Sequence, residues 1–144
     1  MSQATEMFFD FVRVETRLYN TADARLRDRH GLTLGQFQLL HIIDSTENCR
    51  VLDVVQAIGI TVGAASKAVD RVEAAGLCAR AANPGDRRSS ILTLTPEGAE
   101  QLKTARPVLE RELTALTADV APLDELARAA GVLAALRASL EKLG

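Results

Sequence analysis

The chain has 144 residues, 17 Lys/Arg against 19 Asp/Glu, and a 47% hydrophobic share with only 3% aromatics and no Trp, so it can bury a core without disulfide or metal staples. That core must be assembled from Ala, Leu, Val and Ile, a mixture that leans helical. No apolar run approaches the roughly 18 residues that span a bilayer, and the opening MSQATEMFFD has no basic leader, so a cytoplasmic protein with no membrane attachment is expected.

Thr5 to about Arg29 repeats apolar residues at Phe8, Phe11, Val14, Leu18, Ala22 and Leu26, which predicts a long first helix broken by His30-Gly31-Leu32. Thr33 and Gln36 have capping-box spacing ahead of Phe37, Leu40 and Ile43, giving a second, buried helix. Cys49 is then expected on a short strand. Val51, Val54, Val55 and Ile58 mark a short third helix closed by Gly59. Thr61 is the expected N-cap of a fourth helix that turns Ala65, Ala68, Val69 and Val72 inward and ends before Gly76. Two short helices joined by Gly59-Ile60-Thr61 form a helix-turn-helix pattern.

From Leu77 the period changes from 3.6 to 2: Leu77, Ala79 and Ala81 alternate with Cys78 and Arg80, and Leu92 and Leu94 alternate with Thr93 and Thr95. Two strands are predicted around the turn-rich Asn83-Pro84-Gly85-Asp86, a hairpin with Arg87 and Arg88 at its tip. Thr95-Pro96 reads as N-cap and first residue of a fifth helix, which Pro107 should bend or interrupt. A last helix restarts after Ala121-Pro122, with Leu123, Leu126, Ala130, Leu133, Leu136, Leu140 and Leu143 in a stripe. The expected fold is mainly α with a small β-hairpin wing, in the order α-α-α-α-β-β-α-α. Long apolar helices at both ends are more than one small chain readily hides, and they point to a two-fold homodimer. One chain is thus divided into an N-terminal dimerisation helix (1–32), a winged helix-turn-helix (33–95) and C-terminal dimerisation helices (96–144).

Charge is unevenly spread. Residues 61–95 carry five Lys/Arg against three Asp/Glu, while 1–60 and 96–144 each carry six against eight. The fourth helix, with its apolar face inward, presents Gly63, Ser66, Lys67, Asp70 and Ala74 outward, flanked by Ala64 and Arg71. A helix of this size fits the major groove of B-DNA, its N-terminal residues reaching base edges. Thr61, Ser66 and Lys67 are the leading candidates for contact, with Gly63 and Ala64 allowing close approach of the backbone and Arg71 beside them. Arg87 and Arg88 suit phosphates or a narrow minor groove, and Asp86, which would repel phosphate, is expected to hold one arginine in a fixed rotamer.

These stretches, "LTLGQFQLL", "VLDVVQAIGITVGAASKAVDRVEAAGLCAR" and "NPGDRRSSILTLTPEGAEQL", resemble the winged helix-turn-helix of the MarR (multiple antibiotic resistance regulator) family, and the flanking helices are similar in order and length to that family's dimerisation helices. The resemblance implies a homodimer on a pseudo-palindromic operator, usually a repressor, released by a small ligand or an oxidant. Arg88 matches the family's structurally paired wing arginine and Arg87 the more variable tip position. Leu52 stands where the family often has a hydroxyl residue capping the third helix, which leaves Asp53 as a substitute. The family's thiol sensors use a cysteine in the first helix, absent here, so Cys49 and Cys78 read as small core residues. Resemblance also implies an effector pocket for phenolic or aromatic acids between the dimerisation helices and the DNA-binding body, for which Arg13, Arg17, Tyr19, His30 and His41 are the nearby polar groups.

Other classes fare less well. Two histidines eleven residues apart share no helical face, and neither HxxxH nor CxxC occurs, so no metal site is expected. No catalytic pair and no Gly-rich phosphate loop is present, so neither an enzyme nor a cofactor is indicated. The remaining alternative is a winged-helix adaptor that presents the same surface to an acidic protein partner.

Overall fold

The computed structural model describes residues 1–144. Six helices and one hairpin follow in the expected order: α1 (Gln3–Arg29), α2 (Leu34–Ser45), α3 (Val51–Ile58), α4 (Val62–Ala74), β1 (Cys78–Ala82), β2 (Ser90–Leu94), α5 (Pro96–Thr117) and α6 (Leu123–Glu141).

Local chemistry explains the boundaries. Ser2 caps α1 by accepting from the Thr5 N–H, and Gly31, at φ 97°, turns the chain out of it. Thr33 Oγ1 accepts from Gln36 N at 3.1 Å while Gln36 Oε1 accepts from Thr33 N at 3.0 Å, a complete capping box for α2. Asp23 of α1 accepts from Leu34 N at 2.9 Å and so joins the first helix to the start of the second. Thr61 Oγ1 receives the Ala64 N–H at 3.1 Å, and Gly59 and Gly76 take the left-handed conformations that close α3 and α4. Pro96 opens α5 behind Thr95, whose hydroxyl accepts from Gly98 N at 3.0 Å and donates to the Gly76 carbonyl at 2.6 Å. A Cβ at Gly98 would collide with the Leu77 carbonyl oxygen, so only glycine lets α5 begin this close to the hairpin.

Three details depart from the sequence expectations. Cys49 lies in a loop, because Arg50 already caps α3; one ladder-like bond from Leu92 N to the Cys49 carbonyl, 2.7 Å, is all that remains of the expected strand. The cap of α3 falls at Arg50, with Leu52 exposed inside the first turn; since a guanidinium cannot accept, Asp53 completes the start by accepting from Arg50 N at 2.8 Å. Pro107 does not interrupt α5, whose Leu102, Ala105 and Leu109 are buried on both sides of it and outweigh one lost backbone bond.

The hairpin pairs antiparallel from Cys78 opposite Leu94 to Ala82 opposite Ser90. Cys78 is buried and Arg80 half-buried, so this is the face turned to the body, while Ala79 and Ala81 are exposed. Leu26, Leu39, Leu40, Cys49, Val54, Val69 and Cys78 form the fully buried centre. The chain divides into two compact units, Met1–Leu109, which holds that centre, and Glu110–Gly144. In the second unit α6 has no buried residue, and Val132, Leu133, Leu136 and Leu140 are all exposed. In the first, the N-terminal half of α1 exposes Met7, Phe8, Phe9, Val12 and Val14, of which Phe8 and Val14 belong to the apolar stripe read from the sequence.

Candidate nucleic-acid interface

At about 100° per residue α4 has four distinguishable sides. Ala65, Val69 and Val72 are buried against the body. Asp70 and Glu73, with half-buried Ser66 between them in azimuth, lie on the flank that meets β1. Ala68, Arg71 and Val72 border a groove on the other flank. Gly63, Lys67 and Ala74 point outward and are exposed, as are Thr61 at the N-terminus and Ala64. The candidates named from sequence therefore spread over three sides: Thr61, Gly63 and Lys67 outward, Ser66 toward the wing, Ala64 and Arg71 toward the groove. Nothing lies within 4 Å of where a Cβ at Gly63 would sit, so this surface is open to the backbone.

The wing tip is braced from inside. Asn83 Oδ1 accepts from Gly85 N at 3.0 Å, and Asn83 Nδ2 donates to Ser89 Oγ at 3.0 Å, closing the loop across its neck. Asp86 accepts from the Arg88 backbone N–H at 2.9 Å, so its carboxylate shapes the main chain, where the sequence suggested an arginine side chain as its partner. Arg87 and Arg88 are exposed and neither guanidinium is in an ion pair. Their charge faces solvent.

One cation of this segment behaves differently. Arg80 of β1 donates from Nη1 to Glu73 Oε1 and from Nη2 to Asp70 Oδ1, both at 2.7 Å, and its backbone N–H reaches Glu73 Oε2 at 3.2 Å. Burial alone would lower its pKa, but the hydrogen bonds and charges of Asp70 and Glu73 outweigh that and raise it. The sequence places Arg80 on the strand face shared with Cys78 and in the local positive charge, and does not reveal its carboxylate partners. The signal available was its inward strand register together with two carboxylates three apart on the preceding helix.

Of the five polar groups named for an effector, Tyr19 lines a groove that reaches α4. The groove has a volume of about 420 Å³ and is lined also by Thr33, Gln36, Leu39, Ile60 and Arg71, so apolar side chains share it with a phenol and a guanidinium. Burial, then the charges of Asp23 and Glu15, push the Tyr19 pKa up, so its hydroxyl stays protonated. Arg13 pairs with Asp10 at 4.0 Å on exposed α1, and Arg17 is likewise exposed there; neither lines the groove. His30 bonds through Nε2 to Thr104 Oγ1 at 2.7 Å, with Nδ1 buried and unpartnered; His41 stacks on Phe37 and meets Arg106 at 3.4 Å. Both histidines face α5 and lie outside the groove.

A helix-turn-helix whose second helix keeps an open polar side, followed at once by a hairpin with free arginines at its tip, defines the winged helix-turn-helix class of DNA-binding proteins. Residues 32–90, from the start of the α2 capping segment to the first residue of β2, match the model of the MarR family. The multiple antibiotic resistance protein MarR of Salmonella typhimurium is 29% identical over 138 residues, covering 88% of this chain and 96% of that protein. Among solved structures, a mutant MarR from E. coli complexed with operator DNA superposes with a TM-score of 0.81 at 21% identity, covering 94% of this chain and 99% of the other. Bordetella bronchiseptica BpsR, whose DNA binding is regulated by 6-hydroxynicotinic acid, gives 0.81 at 24% identity, with 94% and 96% covered; at these identities the likeness is one of fold. Over residues 32–90 the chain thus matches the MarR family, and over most of its length it is similar to a MarR protein.

Proposed function

We propose that this protein is a homodimeric, sequence-specific repressor, cytoplasmic, that binds a pseudo-palindromic operator. Segment 33–95 would read the DNA, and 1–32 with 96–144 would make the dimer. The observation that carries the reading is an exposed side of α4 with Gly63 and Lys67 behind its cap Thr61, followed in the same chain by a wing tip whose Arg87 and Arg88 are exposed and in no ion pair. In this reading Thr61, Gly63, Ala64, Ser66 and Lys67 approach base edges in the major groove, Arg71 lies beside them, and Arg87 and Arg88 hold phosphates or the minor groove. The exposed apolar residues of α1 and those of α6, each helix taken by itself, support the second copy, because a helix that leaves several large apolar side chains in solvent favours a partner that covers them.

The Tyr19–Arg71 groove is the proposed effector site, and a small aromatic acid fits it: apolar walls for the ring, a guanidinium for the carboxylate, a phenol for a hydroxyl. A ligand there touches α4 directly. It lowers operator affinity only if it binds the operator-competent arrangement less well than another. The test is selection of bound sequences from random duplexes, followed by titration of salt and of a panel of aromatic acids. A palindromic consensus whose binding weakens steeply with salt is the expected result. Equal, weak binding to every duplex overturns it and favours the adaptor.

A further inference from the structure

Arg80 spends three donors, two from its guanidinium and one from its main chain, on two carboxylates of the neighbouring helix. Asp70 and Glu73 are one turn apart on the flank of α4 that meets β1, and Arg80 stands opposite Leu92 in the hairpin, on the side turned to the body. A fork with both terminal nitrogens engaged at 2.7 Å has little left to offer a phosphate.

The covalent link between α4 and β1 is short but not stiff. It consists of Ala75, Gly76 and Leu77, with Gly76 in the left-handed region at φ 77°. From Arg80 to the turn that begins at Asn83 the hairpin extends about 10 Å at the usual rise of an extended strand, so a tilt of about 20° at the base moves the tip by about 3.5 Å. That is the whole reach of a hydrogen bond. Recognition helix and wing tip can grip one duplex together only if the base of the hairpin is held against the helix.

We propose that Arg80 is a positioning residue for DNA binding: through Asp70 and Glu73 it fixes the wing on α4, so that Lys67 and the Arg87–Arg88 tip meet the duplex as one rigid piece. The inference rests on the DNA-binding reading above. It also reassigns the local charge, since with Arg80 committed to Asp70 and Glu73 the cations left to face DNA are Lys67, Arg71, Arg87 and Arg88.

The test is a mutant cycle in the full chain with the duplex obtained by selection. Arg80→Gln, Asp70→Asn with Glu73→Gln, and all three together are measured for affinity to that duplex and to a random one, at several salt concentrations and well below the melting temperature. Arg80→Gln should weaken operator binding about ten- to a hundredfold and random-duplex binding only about two- to threefold, with the salt slope unchanged. Added to the Asp70→Asn/Glu73→Gln protein, it should have little further effect. In the Arg80→Gln background, replacing Arg87 and Arg88 should also cost less than in the wild type, because the tip is no longer placed. Arg80→Lys, which keeps the charge and loses the fork, should fall between wild type and Arg80→Gln, and it carries the test should Arg80→Gln fail to fold. An equal loss on both duplexes with a shallower salt slope, or additivity across the cycle, overturns the role of Arg80 while leaving DNA binding intact. A wild-type protein that selects no duplex overturns the DNA-binding reading itself; in that case the cycle, read in melting temperature, still reports whether the ion pairs couple helix to hairpin.

Discussion

Helices α2 and α6 carry similar apolar stripes and put them to opposite ends. Leu39, Leu40, Ile42 and Ile43 of α2 are buried inside the first unit, whereas Val132, Leu133, Leu136 and Leu140 of α6 are exposed in the single chain. Periodicity reports that a helix has an apolar side; it does not report what covers that side. Truncation separates the two cases. Leu40→Ala should cost about 2–5 kcal/mol in denaturant unfolding at any protein concentration, as a cavity in a close-packed core does. Leu136→Ala should instead act through association, lowering the melting temperature more in dilute than in concentrated solution and raising the share of single chains in light scattering. If both variants lost the same stability regardless of concentration, the proposed dimer role of α6 would be wrong.

The same contrast runs through the wing, whose base is tied and whose tip is free. Arg80 is locked to Asp70 and Glu73, while Arg87 and Arg88 have no ionic partner. Replacing both tip arginines with Ala should lower affinity for the selected duplex by about one to three orders of magnitude and reduce the salt slope by about two. Thermal unfolding should be unchanged. A tip that can be neutralised with no effect on binding would remove the wing from the interface.

Sequence made the order of elements legible because each boundary has a local chemical cause. Thr33 with Gln36, Thr61, Gly59, Gly76 and Thr95-Pro96 each act within four residues of the end they specify. The structure departs from the sequence expectation at residues whose partners are distant or unusual. A strand is expected at Cys49, yet this residue makes one bond to Leu92 and no ladder. The charges around Asp86 point to a guanidinium partner, whereas its carboxylate accepts from a backbone N–H two residues away. The Arg80 pairs cross ten and seven residues, and no local period reveals them. Likewise Tyr19 reaches the groove through the packing of α1 on α2, which the candidates Arg13, Arg17, His30 and His41 do not share.

Caps separate local from tertiary causes on a smaller scale. Thr61→Ala removes the one side-chain acceptor at the start of α4 and should cost about 1 kcal/mol of stability. Gly63 and Lys67 remain outward whether or not the cap is present, since Ala65, Val69 and Val72 are held by the body. Loss of the cap alone would therefore leave operator affinity within about tenfold, so a fall beyond that is expected from the contact proposed for Thr61, and a smaller fall would remove Thr61 from the interface.

The smallest effect is expected where the family resemblance invites a large one. Oxidant release would need a reactive thiolate, and both cysteines are buried. Burial, with the charge of Asp53 adding to it, pushes the Cys49 thiol from 9.0 to about 11, and burial, then Glu73, raises Cys78 against the opposing effect of Arg80. At pH 8 both are thiols, and a thiol-specific reagent should label the native protein far more slowly than the unfolded one. The raised pKa also sets a sign for stability. The unfolded chain gives up the Cys49 proton near pH 9 and the folded chain only near 11, so the contribution of this group is intact below about pH 9 and is lost as pH rises toward 11. Dilute peroxide at pH 7 should leave operator affinity unchanged. Rapid labelling of native Cys49 at pH 8, or release from DNA by peroxide that Cys49→Ala abolishes, would show that the burial seen here opens in solution and that the thiol is a switch after all.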